Sequence, residues 1–222
     1  MSAVPQQIPA GAVPLGGAPR QIGPTDLEGM PLEVIWQNFG PIFRKDNQDY
    51  PLGYPQHVKR LFAPIDNIHL AITSVVGSAR LSLACGMFGW DDDEIDQIFR
   101  SKLEDEQIPV QLSLDKRQAG GAHEKAILKR WQADQIGNSV AIGNSSKGAI
   151  SHVKLIVVDG IITIQGSTNL SATGENLQNN ECTFILDPVF AAETRARLDK
   201  IHDEMLMQMA RARGGTKAAK AS

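Results

Sequence analysis

The stretch from His152 to Asn169, HVKLIVVDGIITIQGSTN, gathers side chains that could do chemistry. His152 offers an imidazole whose ordinary pKa of about 6.5 lets it act as nucleophile, base or acid near neutrality. Lys154 adds an ammonium two residues on, Ser167 a hydroxyl and Asn169 an amide. A nucleophile or base, a cation and two neutral hydrogen-bonding groups thus fall within one short segment.

Local sequence says how they could be brought together. Leu155 to Val158 is an apolar run rich in β-branched residues. Asp159-Gly160 is the kind of dipeptide most favoured in a two-residue hairpin turn, and Ile161 to Gln165 runs back. Side chains alternate along a strand, so His152 and Lys154 project from one face at its entrance. Gly166 closes the return strand where a missing side chain lets another group approach the backbone. The spacing is His-x-Lys, four residues, Asp, six residues, Gly-Ser-x-Asn. This is the complete HKD pattern, and over this stretch the chain resembles the phospholipase D superfamily without a gap. A valine-rich hairpin with an incidental histidine would not bring Lys154, Ser167 and Asn169 along with it.

The resemblance implies a mechanism. His152 would attack phosphorus and become phosphohistidine, while a second group must protonate the leaving oxygen. One motif per chain therefore predicts an isologous homodimer, with the partner's His152 as general acid. Lys154 would hold the non-bridging phosphate oxygens, joined by the Asn169 amide and the Ser167 hydroxyl. Glu181, just before the next strand, resembles the family's acidic residue that fixes the histidine tautomer. Asp159 matches the motif's aspartate but sits at the turn and reads, like Gly166, as structural. Lysines and amides do the charge work here, so no metal or other cofactor is expected. The family cleaves phosphodiesters in nucleic acids and phospholipids, and small single-motif chains resemble its bacterial endonuclease branch. A nuclease is the first expectation, with a phospholipase D or a catalytically silent nucleic-acid-binding dimer as alternatives.

The rest of the chain must supply a scaffold. Its 222 residues suit one domain, and 42% hydrophobic with 21% charged residues is ordinary for a soluble globular protein. A net charge of -3 gives no global attraction to nucleic acid or anionic membrane. No apolar run approaches the ~20 residues of a membrane span, and the N-terminus does not read as a signal peptide, so a cytoplasmic protein is expected. Cys85 and Cys182 read as buried thiols.

Residues 1–30, rich in Pro and Gly, read as a flexible tail, 31–210 as the phosphodiesterase domain and 211–222 as a basic tail. The aromatic segment from Pro31 to Phe62 suggests a lid over the sheet edge, with regular structure starting after Pro64. Asp66 or Asn67 can cap a helix carrying Ile68, Ala71, Ile72, Val75 and Val76 on one side. Asp91 to Glu94 could bind a metal but reads better as a helix start, Asp91 capping and Glu94 its capping-box partner. Asp187-Pro188 starts a long helix whose stripe is Val189, Leu198, Ile201, Met205 and Met209. Helix and strand alternate, which predicts an α/β fold: one lobe, a mixed β-sheet flanked by helices, similar to phospholipase D. His57 and His69 show no partner set, and His123 reads as a surface residue. Trp36, Trp90 and Trp131 read as core. Lys116, Arg117, Lys125, Lys129 and Arg130 fit a local basic surface or ordinary helix solvation equally well.

Overall fold

The structure, a computed structural model, describes Leu27 and residues 29–104, 107–133 and 139–219. The tail expected over 1–30 therefore lies outside the described residues except for Leu27, Gly29 and Met30. The strands are β1 (Val58–Ala63), β2 (Leu83–Met87), β3 (Val110–Asp115), β4 (Val140–Gly143), β5 (Lys154–Val158), β6 (Ile162–Gly166) and β7 (Asn180–Leu186). They form one mixed sheet in the order β1-β7-β6-β5-β2-β3-β4. β2, β3 and β4 run parallel, and every other neighbouring pair is antiparallel. In consequence the C-terminal ends of β1, β2, β3, β4 and β6 lie at one end of the sheet, beside the N-terminal ends of β5 and β7. Open α/β sheets bind ligands at such an end.

Helices cover both faces. α1 (Leu32–Gln37), α2 (Phe39–Phe43), α3 (Ile68–Gly77), α4 (Asp93–Glu104) and α5 (Ala122–Ala133) contribute side chains to one large core. The long α7 (Pro188–Ala219) crosses the other face, where Ala191 and Leu198 pack on Ala84 and Val157. The short α6 (Ala172–Asn176) lies between β6 and β7 in the chain. β2 is buried on both faces, as a central strand between helical layers should be. Trp36, Trp90 and Trp131 are all core, and the indole N–H of Trp131 donates to Asp96 at 2.6 Å. Cys85 and Cys182 are buried free thiols. Among the described residues, no helix is long and apolar enough to cross a membrane.

Capping explains most of the helix starts, with one correction. Asn67 caps α3 by accepting from the Leu70 N–H at 3.0 Å, and Asp187 caps α7 by accepting from Val189 at 2.8 Å and Phe190 at 3.1 Å. At α4 the cap is Asp92, which accepts from Ile95 at 2.8 Å, and not Asp91. The Asp91 N–H instead donates to the Leu170 carbonyl at 2.9 Å, which holds Asp91 outside the helix.

Other expectations also change. Val189 is 80% exposed and takes no part in the apolar stripe, whereas Leu198 and Met205 are buried. Backbone helix continues through the basic C-terminal segment as far as Ala219. Regular structure begins well before Pro64, and the aromatic segment is core and not a lid. Phe39 packs edge-on against Phe184 of β7, ring centroids 4.9 Å apart. β1 is an edge strand whose inward face carries Lys59, Leu61 and Ala63, while Phe62 points outward. A lysine facing in and a phenylalanine facing out invert the usual strand pattern, which conceals β1 in the sequence. Lys59 tolerates burial because its ammonium lies over Tyr50 and Trp36, 4.9 and 5.8 Å from the ring centroids.

Candidate active site

The hairpin forms, but its loop is one residue longer than its sequence suggests. Val158 pairs with Ile162, so residues 159–161, and not Asp159 and Gly160 alone, span the turn, with Asp159 and Gly160 both at positive φ, 53° and 67°. The Asp159 carboxylate accepts from the backbone N–H groups of Arg80 (2.9 Å), Leu81 (2.7 Å) and Ser82 (3.0 Å). It ties the turn to the segment entering β2, at the far end of the sheet from His152.

At the other end, Lys154 pairs with Met87 of β2 and is buried. Its Nζ donates to His152 Nε2 at 3.1 Å. An ammonium can only donate, so the Nε2 facing it carries a lone pair. Burial holds the Lys154 ammonium below the usual lysine range. Phe88, just past β2, sets its ring edge-on to the imidazole, centroids 4.6 Å apart, and lies 5.1 Å from Lys154 Nζ. The fully buried Asp115 accepts from the Ser151 N–H at 2.7 Å, fixing the backbone just before His152. The motif itself gives no signal for Phe88 or Asp115. Only their positions at the ends of β2 and β3 bring them here.

The Gly-Ser-x-Asn loop packs against β7. A Cβ at Gly166 would overlap the Glu181 carbonyl oxygen, so only glycine fits. The Ser167 hydroxyl donates to Asn180 Oδ1 at 2.9 Å and accepts from the Glu181 N–H at 3.0 Å. It fastens the loop within the chain, a role beyond the phosphate contact expected of it. Asn169 Oδ1 accepts from the Gly89 N–H at 3.2 Å, which leaves its NH2 as a donor. Trp90 and Leu170 form a β-bridge beside this contact, so the loop is tied to the end of β2.

Glu181 departs from expectation. Within one chain it does not engage His152: Oε1 accepts from Arg60 Nε at 3.1 Å and from the Thr183 hydroxyl. Its strand neighbours on β1 and β7 provide those donors.

His69 is a second correction, because it has a full partner set. Its Nδ1 lies 2.5 Å from Glu175 Oε2 and 3.3 Å from Asp92 Oδ2, and its Nε2 lies 3.0 Å from Glu94 Oε2. Glu94 therefore reaches His69 and not a capping-box partner. The side chain of His123 lies outside the described residues. Of the expected basic surface, Lys116, Arg117, Lys125 and Lys129 are exposed, whereas Arg130 is engaged by Asp93 and Asp96 at 2.5 and 3.1 Å. A cavity of about 860 Å³ opens between α3 and α4, lined by Thr73, Gln97 and Lys102 among others, and no HKD residue reaches it.

Comparison with known proteins agrees with this architecture. Residues 72–202, more than half of the chain, match a family described as "Cardiolipin synthase, PLD-like domain". No curated protein sequence matches. Among solved structures, the phospholipase D family member Nuc from Salmonella typhimurium is similar, with a TM-score of 0.56 and 19% identity. That match covers 66% of this chain and 94% of Nuc. NucT from Helicobacter pylori gives a TM-score of 0.54 at 14% identity, covering 66% of this chain and 96% of NucT. Phosphatidylserine synthase from Haemophilus influenzae gives 0.54 at 13% identity, covering 65% of this chain and 38% of the synthase. With the family match extending over β2 to β7 and so over the hairpin, the chain belongs to the phospholipase D superfamily.

Proposed function

We propose that the protein is a cytoplasmic, homodimeric phosphodiesterase that cleaves nucleic acid through a covalent phosphohistidine on His152. The carrying observation is the Lys154 ammonium donating to His152 Nε2, which leaves an exposed imidazole with its lone pair beside a positive charge. Nε2 attacks phosphorus, the P–O bond to the leaving group breaks, and the leaving oxygen takes a proton from the partner's His152. Water then attacks phosphorus, the P–N bond breaks, and the water proton passes back to that second imidazole. Lys154 and the Asn169 NH2 stabilise the non-bridging oxygens as charge grows on them. A single imidazole cannot be nucleophile and acid in one step, which is why a two-fold dimer completes the site.

The exposed Lys116 and Arg117 follow β3 at the same end of the sheet as His152 and support a polyanionic substrate. Buried free thiols suit a reducing compartment. A second reading rests on Phe62 and Ile65, 44% and 61% exposed beside the end of β1, which would suit a phospholipid surface.

The deciding assay is release of acid-soluble nucleotides from single-stranded DNA in excess EDTA, with His152→Ala run in parallel. EDTA-resistant release that the substitution abolishes supports the nuclease. Release of head groups from phosphatidylcholine vesicles without nucleotide release would move the assignment to a phospholipase D. Silence on both, with DNA bound, would make it a binding module. Mixing wild type with an equal amount of His152→Ala should leave about half of the wild-type activity if each site needs two histidines, and all of it if it needs one.

A further inference from the structure

Three segments leaving the same end of the sheet converge on His69. His69 lies in the first turn of α3 after β1, Asp92 caps α4 after β2, and Glu175 lies on α6 after β6. One donor atom from each falls within 4.8 Å of the others. The Glu175 side chain is fully buried, and while Oε2 faces His69, its second oxygen Oε1 has no hydrogen-bond partner among the described residues. A buried carboxylate with a bare oxygen is costly unless it is paired or coordinates a cation. With Glu94 on the far ring nitrogen, three carboxylates surround one imidazole, so negative groups outnumber the single basic one.

We propose that His69, Asp92 and Glu175 bind a divalent cation, of the Zn²⁺ or Mn²⁺ kind, that clamps the Gly-Ser-x-Asn loop to α3 and α4. One imidazole with two carboxylates suits these ions better than Mg²⁺ or Ca²⁺, which favour all-oxygen shells. Tetrahedral zinc at ordinary bond lengths sets its ligand atoms about 3.3 Å apart. The 3.3 Å between His69 Nδ1 and Asp92 Oδ2 already matches, and the 2.5 Å to Glu175 Oε2 must open to admit the ion. Without a cation a proton shared between the imidazole and these carboxylates takes this place, and Asp92 and Glu175 push the His69 pKa up.

The location gives the cation its role. Ser171, two residues beyond Asn169, caps α6 by accepting from the Gly174 N–H at 3.0 Å, and Glu175 follows directly. On the other side, the Asn169 side chain is held by Gly89, three residues before Asp92. A cation joining Asp92 to Glu175 therefore locks together the two backbone segments that position the Asn169 amide. It takes no part in the chemistry at His152.

The test strips the full-length protein with EDTA, dialyses it, and titrates it with ZnCl2 and separately with MnCl2 by calorimetry, with metal content read by mass spectrometry. About one ion per chain and a rise in Tm are expected. Glu175→Gln and Asp92→Asn, which keep shape, should weaken binding about tenfold or more, while His152→Ala keeps full stoichiometry. Equal binding by wild type and Glu175→Gln, or no uptake by wild type, overturns the proposal and leaves a protonated His69 as the hub. So does loss of the ion in His152→Ala with retention in Glu175→Gln. If the isosteric variants fail to fold, the cobalt(II) spectrum of wild type decides. Intense tetrahedral d–d bands are expected, and the weak spectrum of hexa-aqua cobalt refutes the site.

Discussion

Glu181 and Arg60 meet across β7 and β1, Oε1 to Nε 3.1 Å, so in one chain the acid is matched with an arginine and not with His152. Among the described residues Oε2 makes no hydrogen bond, which leaves one oxygen for an imidazole arriving across a dimer axis. Arg60 is half-exposed, and such surface pairs contribute about 0–1 kcal/mol. Glu181→Gln should therefore leave the denaturation midpoint nearly unchanged and lower turnover by about a hundredfold. Unchanged turnover would reduce Glu181 to a strand pair.

Lys154 separates function from stability. Its ammonium is buried and its pKa depressed by that burial, so the charged form is disfavoured in the folded state. The stabilising direction lies at high pH, above the ordinary lysine pKa, and is lost as pH falls through the folded value. At neutral pH the charge therefore works against folding. Lys154→Met, similar in length, should melt at or above the wild-type temperature while turnover falls by about 10²–10³-fold. A lowered Tm would contradict this account of the burial.

Asp159 should behave in the opposite way. Its carboxylate accepts from three consecutive backbone N–H groups far from His152. Asp159→Ala leaves those donors without it and should destabilise the protein by about 1–3 kcal/mol in urea denaturation. Activity per folded molecule should stay within about twofold of wild type, because the turn and the imidazole lie at opposite ends of the hairpin.

His202, on α7, gives an acid-side pH dependence. Its ring is buried, with Nδ1 3.1 Å from the Ser113 hydroxyl, and burial pushes its pKa below the ordinary 6.5, partly countered by Asp203 and Asp199. A depressed histidine contributes stability above its unfolded pKa and loses it as pH falls through the folded one. Wild type should thus lose stability as pH falls below the ordinary histidine pKa of about 6.5, and His202→Gln should flatten that slope. Parallel slopes for the two proteins would show that His202 is not the group responsible.

The sequence by itself determined the hairpin, its Asp-Gly turn, the HKD spacing and the cap at Asp187, and it narrowed the α3 cap to Asp66 or Asn67. Each of these depends on residues a few positions apart, where backbone conformation and local hydrogen bonds settle the outcome. Tertiary structure decided the partners. Glu175 reaches His69 from 106 residues away and Glu181 reaches Arg60 from 121, and neither pairing has a local signal. Both follow from strand order and register, which bring the ends of β1, β2, β6 and β7 together. The same assembly set Phe88 against His152, moved the α4 cap from Asp91 to Asp92, and placed β1, with its inward lysine, at the sheet edge. Where a side chain's partner lies across the sheet, only the packed fold can name it.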